Sequence, residues 1–178
     1  QQPFWIKSLT VIENIAIPGF IGGKTFGESI PLAAKLIELV GMGEWANHRP
    51  YDLSGGQQQR IALARSLLLD PKFIIADEPT GNLDIKAGET LMTLLRNISQ
   101  QFGITIMMVT HNIDQYKFGS RIVNMVDGRV TSDAINQHSI QMMEQDVIDL
   151  KQKTEPVRVF SRKARNPSQR LQSAMPLL

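Results

Sequence analysis

Hydrophobic residues recur at helical spacing in the first part of the chain. Residues 10–17, 30–40 and 57–69 each place apolar side chains three and four positions apart, which is typical of a single buried helix face. This pattern predicts three helices before residue 70.

Residues at the expected helix ends support two of these helices. Thr10 precedes the first helix, and Glu13 stands three positions later, which is the arrangement of a capping box. Pro18 and Gly19 are expected to stop the first helix, and Gly41 is expected to stop the second.

Short apolar runs in the second half predict strands. Residues 73–76 are a continuous apolar run, which is typical of a fully buried parallel strand, and residues 105–109, with β-branched residues at their ends, predict a second buried strand. The residues between them, 85–101, return to helical spacing, and Gly103 is expected to end that helix. The order strand, helix, strand predicts an α/β fold with a parallel sheet.

A hairpin is predicted near residue 127. Residues 121–126 and 129–131 are rich in β-forming residues and flank Asp127-Gly128, a pair suited to a type I′ turn. Further on, residues 139–153 have the apolar spacing of one more helix.

The charge of the chain is unevenly distributed. Residues 1–150 hold 12 Lys and Arg against 16 Asp and Glu, whereas residues 151–178 hold seven basic residues and one Glu. We expect the basic end to be a solvated, disordered tail, and attraction to anionic lipid is the alternative.

The chain has no Cys and no apolar run long enough to span a membrane. It opens with Gln and lacks a signal-peptide pattern, so a fragment or processed chain is expected.

Candidate chemistry lies at the ends of the two predicted strands. Asp77 and Glu78 follow the first strand, and His111 closes the second. Open α/β sheets bind ligands at the carboxyl ends of their strands. Two adjacent acids there are costly unless a cation or hydrogen-bond donors meet them.

A second candidate site precedes the third helix. Ser54 is expected to cap this helix, and Gly55 and Gly56 leave the amides of its first turn without side chains. Bare amides at the positive end of a helix dipole can bind an anion. An ordinary capped helix would have the same three residues.

Longer motifs decide between these interpretations. Residues 53–60, LSGGQQQR, resemble the signature sequence of ABC-type ATPases, and residues 76–84, ADEPTGNLD, resemble the Walker B and D-loop segment of that family. The resemblance extends over about residues 1–135 and is nearest to the lipoprotein-release and macrolide-export branch. It implies part of a RecA-like P-loop NTPase sheet, the helical subdomain of ABC proteins and a C-terminal tail.

The resemblance also implies roles for the strand-end residues. Asp77 corresponds to the aspartate that holds Mg²⁺ directly or through water. Glu78 corresponds to the general base that activates the water attacking ATP. His111 corresponds to the switch histidine that bonds the γ-phosphate.

Further binding residues follow from the same resemblance. The signature turn is implied to close on a γ-phosphate held by a second copy, through Ser54, Gly55, Gly56 and Gln57. Asp84 belongs to the D-loop and could equally cap the next helix. Gln1, with Gln2 as the alternative, corresponds to the loop glutamine that contacts magnesium or the attacking water.

Some residues are assigned no catalytic role. Residues 22–25, GGKT, resemble the end of a P-loop, but Pro18 occupies the position at which that motif requires its first glycine. We expect these residues to form a solvated turn, and we expect His48 and His138 to be structural.

The 178 residues therefore contain no P-loop. We expect the chain alone neither to bind ATP tightly nor to hydrolyse it, because the lysine and amide cradle that hold the phosphates have no counterpart. We expect three regions: residues 1–69 with the glutamine loop, the helical subdomain and the signature, residues 70–135 with the catalytic α/β core, and residues 136–178 with a helix and a basic tail.

The resemblance implies a transporter subunit that couples ATP hydrolysis to substrate movement. Its implied partners are a second nucleotide-binding domain stacked head to tail and transmembrane permease subunits, with no nucleic acid, at the cytoplasmic face of the cell membrane. Two alternatives remain: a partner that does not hydrolyse ATP and lends its signature to another subunit, and an ABC-type ATPase that does not transport.

Overall fold

The computed structural model describes residues 3–137 and 139–141. The main elements are, in chain order, α1 (Val11–Ile21), α2 (Phe26–Leu39), α3 (Gly55–Leu67), β1 (Phe73–Asp77), α4 (Ile85–Phe102), β2 (Thr105–Val109), β3 (Arg121–Val126) and β4 (Arg129–Ile135). Short 3₁₀ helices cover Gly43–Trp45, Pro50–Asp52 and Ile113–Phe118.

Helix α3 lies at the centre of the packing, because α1, α2 and α4 all contact it. The buried side chains of these four helices form one continuous cluster with β1 and the residue before β2. The cluster includes Val11, Ile15, Leu36, Ile37, Ile61, Leu67, Ile74, Leu91, Ile98 and Ile104. The helices before residue 70 and the strand-bearing part therefore share one hydrophobic core.

The ends of the first two helices differ in part from the prediction. The Thr10–Glu13 capping box is present, but α1 continues through Pro18 to Ile21, so the predicted stop at Pro18 is wrong. Proline lacks an N–H donor, yet its carbonyl remains available, and Pro18 O accepts from Gly22 N at 2.9 Å. The helix therefore loses one internal hydrogen bond and continues.

Helix α2 starts earlier than predicted, at Phe26. Thr25 caps it, and Glu28 completes a second capping box that the apolar spacing does not reveal. Helix α2 ends at Leu39, close to the predicted stop.

Gly19 lies in a closely packed part of the helical region. A Cβ atom on Gly19 would lie 2.4 Å from Ser29 Oγ and 3.0 Å from Leu68 Cδ2, and both of those residues are buried. We expect Gly19→Val to reduce the free energy of unfolding by about 2 kcal/mol, since overpacking a closed site typically costs 1–3 kcal/mol. Chemical denaturation measures the change.

Gly27 provides the matched control for this substitution. It also lies in a helix, but a Cβ there would meet only Thr25 Oγ1 at 3.8 Å. Gly27→Val should therefore leave stability within about 0.5 kcal/mol of the original, as for other surface changes. Equal effects of the two substitutions would contradict the packing explanation.

Strands β1 and β2 are parallel, as predicted, and α4 connects them. Phe73 is paired with Thr105 at one end of the ladder, and Asp77 is paired with Val109 at the other. The prediction of full burial is wrong for the described residues, because each strand has one neighbour and the helices cover one face. The opposite face is exposed, including Ile75 at 65% and Met107 at 47%, so Met107 does not contribute to the core.

The predicted hairpin is confirmed. Strands β3 and β4 are antiparallel, and they flank Asp127 and Gly128, whose φ angles are 49° and 74°. Both central residues thus have the positive φ that a type I′ turn requires. Among the described residues, the hairpin forms a sheet separate from β1 and β2.

Several predicted features lie outside the described residues. These are Gln1, Gln2, His138, most of the helix predicted for residues 139–153, and the basic tail. Within the described residues, no helix combines the length and apolarity needed to cross a membrane.

Candidate active site

The parallel register of β1 and β2 brings the two candidate strand ends together. Glu78 directly follows β1, and its backbone N donates to Val109 O, at the end of β2, over 2.9 Å. Thr110 and His111 follow Val109, so the chain after β2 passes directly beside the Glu78 side chain. The acid and the histidine, 33 residues apart in sequence, therefore become neighbours.

Three donors bind the carboxylate of Glu78. His111 Nδ1 lies 2.7 Å and His111 N lies 3.0 Å from Oε1, while Thr110 Oγ1 donates to Oε2 at 3.4 Å. The hydrogen bond from the His111 side chain is the main cause that lowers the pKa of Glu78 below its usual value. Glu78 is therefore ionised at neutral pH, and as an ionised acceptor it requires the hydrogen on Nδ1 of His111.

Exposure differs between the two partners. The His111 side chain is 86% exposed and that of Glu78 is 30% exposed. The imidazole can therefore rotate away from the carboxylate without breaking a packed contact. Glu78 is more constrained, because its φ angle of 44° places it in the left-handed region that favours glycine.

Asp77 occupies the last position of β1, and its side chain is exposed. Within residues 3–137 and 139–141, no group of three or more His, Cys, Asp or Glu could hold a metal ion. A magnesium ion at Asp77 would thus need most of its ligands from elsewhere. This fits the usual mode of Mg²⁺ binding, in which one or two carboxylates act together with phosphate oxygens and water.

The signature turn is exposed and forms a complete capping box. Ser54 Oγ accepts from Gln57 N at 3.4 Å, and the Gln57 side chain accepts from Ser54 N at 2.8 Å. The predicted cap is confirmed, and α3 begins at Gly55. The amide of Gln57 is occupied within the turn, whereas the surface around Ser54 and Gly55 remains open.

The signature glycines also have a packing role that the sequence did not reveal. A Cβ on Gly56 would lie 3.2 Å from Ala87 Cβ, and a Cβ on Gly55 would lie 3.5 Å from Leu83 Cδ2. The start of α3 therefore packs against the segment that leads into α4. Asp84 caps α4 by accepting from Ala87 N at 2.8 Å, which confirms the capping role.

Residues 22–25, which resemble the end of a P-loop, lie in the turn between α1 and α2 and are exposed, as predicted. A helix precedes it instead of a strand, and Thr25 uses its hydroxyl to cap α2. The His48 ring packs at a tilt of 55° against that of Trp45, with ring centroids 4.8 Å apart, and the His48 carbonyl accepts from Val11 N. Both arrangements fit structural roles.

Sequence reasoning missed the contacts that hold the first described residues against α3. Arg65 stacks on the ring of Trp5 at 4.4 Å and donates to Phe4 O at 2.7 Å. The Trp5 indole donates to Gln58 Oε1 at 2.9 Å, and Gln58 donates to Leu53 O at 3.0 Å. The available signal in the sequence was the tryptophan itself, ahead of the first predicted helix.

The lowered pKa of Glu78 gives a testable pH dependence. A depressed folded-state pKa adds stability above the ordinary value of 4.5, and this contribution is lost as pH falls through the folded pKa. In His111→Ala, the Glu78 titration midpoint, measured by carboxyl ¹³C NMR, should rise. The stability difference between the two proteins should be largest above pH 4.5 and shrink below it. An unchanged midpoint would contradict the assigned cause.

Comparison with known proteins supports one family. A family model described as ABC transporter matches residues 1–81. An uncharacterized ABC transporter ATP-binding protein of Methanocaldococcus jannaschii is 46% identical over 130 residues, which cover 73% of this chain and 58% of that protein. The chain belongs to the ABC transporter family. The signature turn, Asp77 and Glu78 lie within the matched residues 1–81.

Two further relatives of this ABC-type chain agree with the predicted branch and fold. The lipoprotein-releasing system ATP-binding protein LolD of Shewanella denitrificans is 42% identical over 123 residues, covering 69% of this chain and 53% of that protein. The ATP-binding cassette MJ0796, solved as a dimer bound to ADP and phosphate, superposes with a TM-score of 0.66 at 39% identity, covering 76% of this chain and 60% of that chain. The predicted α/β class is confirmed, and the chain spans a little over half the length of these relatives.

Proposed function

We propose that this chain carries the catalytic part of an ATP-hydrolysing subunit of an ABC transporter. The observation that supports this most is the Glu78 carboxylate, which is held ionised at the end of β1 by donors from Thr110 and His111. A partner that only lends its signature would need neither the acid nor the histidine. The pair therefore favours hydrolysis over that alternative.

Glu78 acts as the general base in this proposal. An oxygen of its carboxylate accepts a proton from a water molecule, and the water oxygen attacks the γ-phosphorus of ATP. The bond from that phosphorus to the β–γ bridging oxygen breaks, and ADP and phosphate leave. The three hydrogen bonds to Glu78 fix the direction of the carboxylate before the water arrives.

His111 responds to the nucleotide. Its ring is exposed and bonded only to Glu78 among the described residues, so a γ-phosphate oxygen can compete for the imidazole N–H. Asp77, beside Glu78, is the residue that would hold Mg²⁺. The ion would supply charge neutralisation at the phosphates.

The signature turn acts on a second nucleotide site in this proposal. The Ser54 hydroxyl and the amides at the start of α3 face outward, where the phosphates of ATP held by another subunit can approach them. A head-to-tail pair of such domains would close on ATP and open after hydrolysis. Transmembrane permease subunits at the inner face of the membrane would receive this motion, in a system of the lipoprotein-release type.

A chimera tests the proposal. Residues 3–137 of this chain would replace their counterparts in the M. jannaschii relative, and release of ADP and phosphate would be measured with and without Mg²⁺. We expect magnesium-dependent hydrolysis at a rate close to that of the parent. A folded chimera that binds a fluorescent ATP analogue as the parent does, but does not hydrolyse ATP, would overturn the proposal.

A further inference from the structure

Gln115 is a buried polar side chain that the proposed chemistry does not use. It lies in the 3₁₀ helix Ile113–Phe118, shortly after His111, and is only 6% exposed. Its backbone N donates to Asn112 O at 3.2 Å, and Asn112 N in turn donates to Thr110 Oγ1 at 3.1 Å. Gln115 is therefore connected by a short run of hydrogen bonds to the residues that bind Glu78.

The side chain of Gln115 reaches the other strand end. Its amide Nε2 donates to Thr80 Oγ1, which belongs to the segment after Glu78. The other end of the amide, Oε1, is buried and has no hydrogen-bond partner among the described residues. Thr80 and Gln115 are 35 residues apart, so this bond joins the two loops that carry the base and the histidine.

Thr80 is well placed to transmit this contact to Glu78. Its carbonyl accepts from Leu83 N at 3.1 Å, and Gly81 N donates to Glu78 O at 3.1 Å. Together these bonds close a tight turn immediately after Glu78. Gly88 in α4 lies beside the Thr80 side chain, and a Cβ on Gly88 would make an ordinary contact with Thr80 Cβ at 3.6 Å.

The backbone of Glu78 needs such support. A non-glycine residue in the left-handed region is strained and persists only when its surroundings fix it. Glu78 N is held by Val109 O on one side, and the turn through Thr80 holds the other side. The bond from Gln115, whose side chain is buried, adds a further contact to this turn.

Stability alone does not account for glutamine at this position. Burying the unpartnered oxygen of the amide costs more free energy of folding than the single hydrogen bond from its nitrogen contributes. An apolar side chain of the same length would avoid that cost. The amide adds a bond between the two loops at Thr80, beside the bonds that Thr110 and His111 make to Glu78 itself.

We infer that Gln115 is a positioning residue that, through Thr80, holds Glu78 and His111 in the geometry required for hydrolysis. The importance of Gln115 for catalysis rests on the proposed function, whereas its effect on the positions of Glu78 and His111 does not. The test therefore uses the full chain without nucleotide, so that failure of the hydrolysis proposal would leave the result unchanged.

The variants are Gln115→Met, Thr80→Val and, as the conservative control, Thr80→Ser, which keeps the hydroxyl. Ring ¹⁵N shifts at one fixed pH report whether His111 carries its hydrogen on Nδ1, and amide hydrogen exchange reports the His111 N–H bond to Glu78. His48 supplies an internal reference in the same spectra.

We expect Gln115→Met and Thr80→Val to shift His111 towards the Nε2–H form and to speed its amide exchange by about tenfold, without lowering the melting temperature in proportion. The His111 signals of Thr80→Ser should match those of the original chain, and the His48 signals should not change in any variant. Unchanged His111 signals in both folded variants would overturn the inference. Equal effects of Ser and Val at position 80, or loss of the fold in both Gln115→Met and Thr80→Val, would also overturn it.

Discussion

Replacing Glu78 with Gln lowers the kcat of the chimeric ATPase by about 10²–10⁴-fold, the range that a positioned general base contributes. The amide has nearly the same size as the carboxylate but cannot accept the proton of the attacking water. The turn after β1 should remain, because the amide oxygen can still accept from His111 and the amide nitrogen can donate to Thr110 Oγ1. Affinity for ATP should therefore change little, and the loss should appear in turnover.

Glu89 offers the matched control for this substitution. It is also a glutamate bonded to a side-chain nitrogen, that of Lys117 at 3.0 Å, but both side chains are more than half exposed. Glu89→Gln should leave turnover within about twofold, since exposed ion pairs contribute little. Steady-state phosphate release, with nucleotide affinity measured separately, distinguishes the outcomes. Equal turnover of the two variants would contradict the role of Glu78 as the general base.

The substitution Gly55→Asp is expected to slow ATP hydrolysis without destabilising α3. An acidic residue in the first turn of a helix interacts favourably with the dipole by about 0.3–1 kcal/mol, so the melting temperature should stay the same or rise. The same carboxylate would face the γ-phosphate. Two like unit charges 4 Å apart repel by about 4 kcal/mol at an effective dielectric constant of 20, which corresponds to roughly 10²–10³-fold slower hydrolysis.

Gly55→Ala is the companion variant. Its Cβ would make an ordinary contact with Leu83 Cδ2 at 3.5 Å, so packing and turnover should change little. Thermal melts and ATP hydrolysis by the chimera are measured on both variants. If Gly55→Asp hydrolysed ATP as fast as Gly55→Ala, the start of α3 would not be an anion site.

Local signals in the sequence predicted much of this fold. The caps at Thr10, Ser54 and Asp84 and the turn at Asp127-Gly128 depend on residues within three positions of each other, so their chemistry is visible along the chain. The closeness of Glu78 and His111 followed from the expectation that parallel strands end at one edge of a sheet.

Other features depend on distant partners and were missed. Whether Ile75 and Met107 are buried depends on what covers the sheet, which an apolar run does not specify. The continuation of α1 through Pro18 accompanies the close packing of Gly19 against Ser29. The roles of Asp77, Gln1 and the signature turn in binding remain predictions.

Mixing two inactive variants tests the central claim that the signature turn and Glu78 act on one ATP from different subunits. Chimeras carrying Gly55→Asp and Glu78→Gln would be combined, and ATP hydrolysis compared with each alone. In a head-to-tail pair, one of the two sites in a mixed dimer joins an intact Glu78 to an intact signature turn. Statistical pairing then predicts recovery of roughly a quarter of the original rate. No recovery, although mixed dimers are shown to form, would contradict the account.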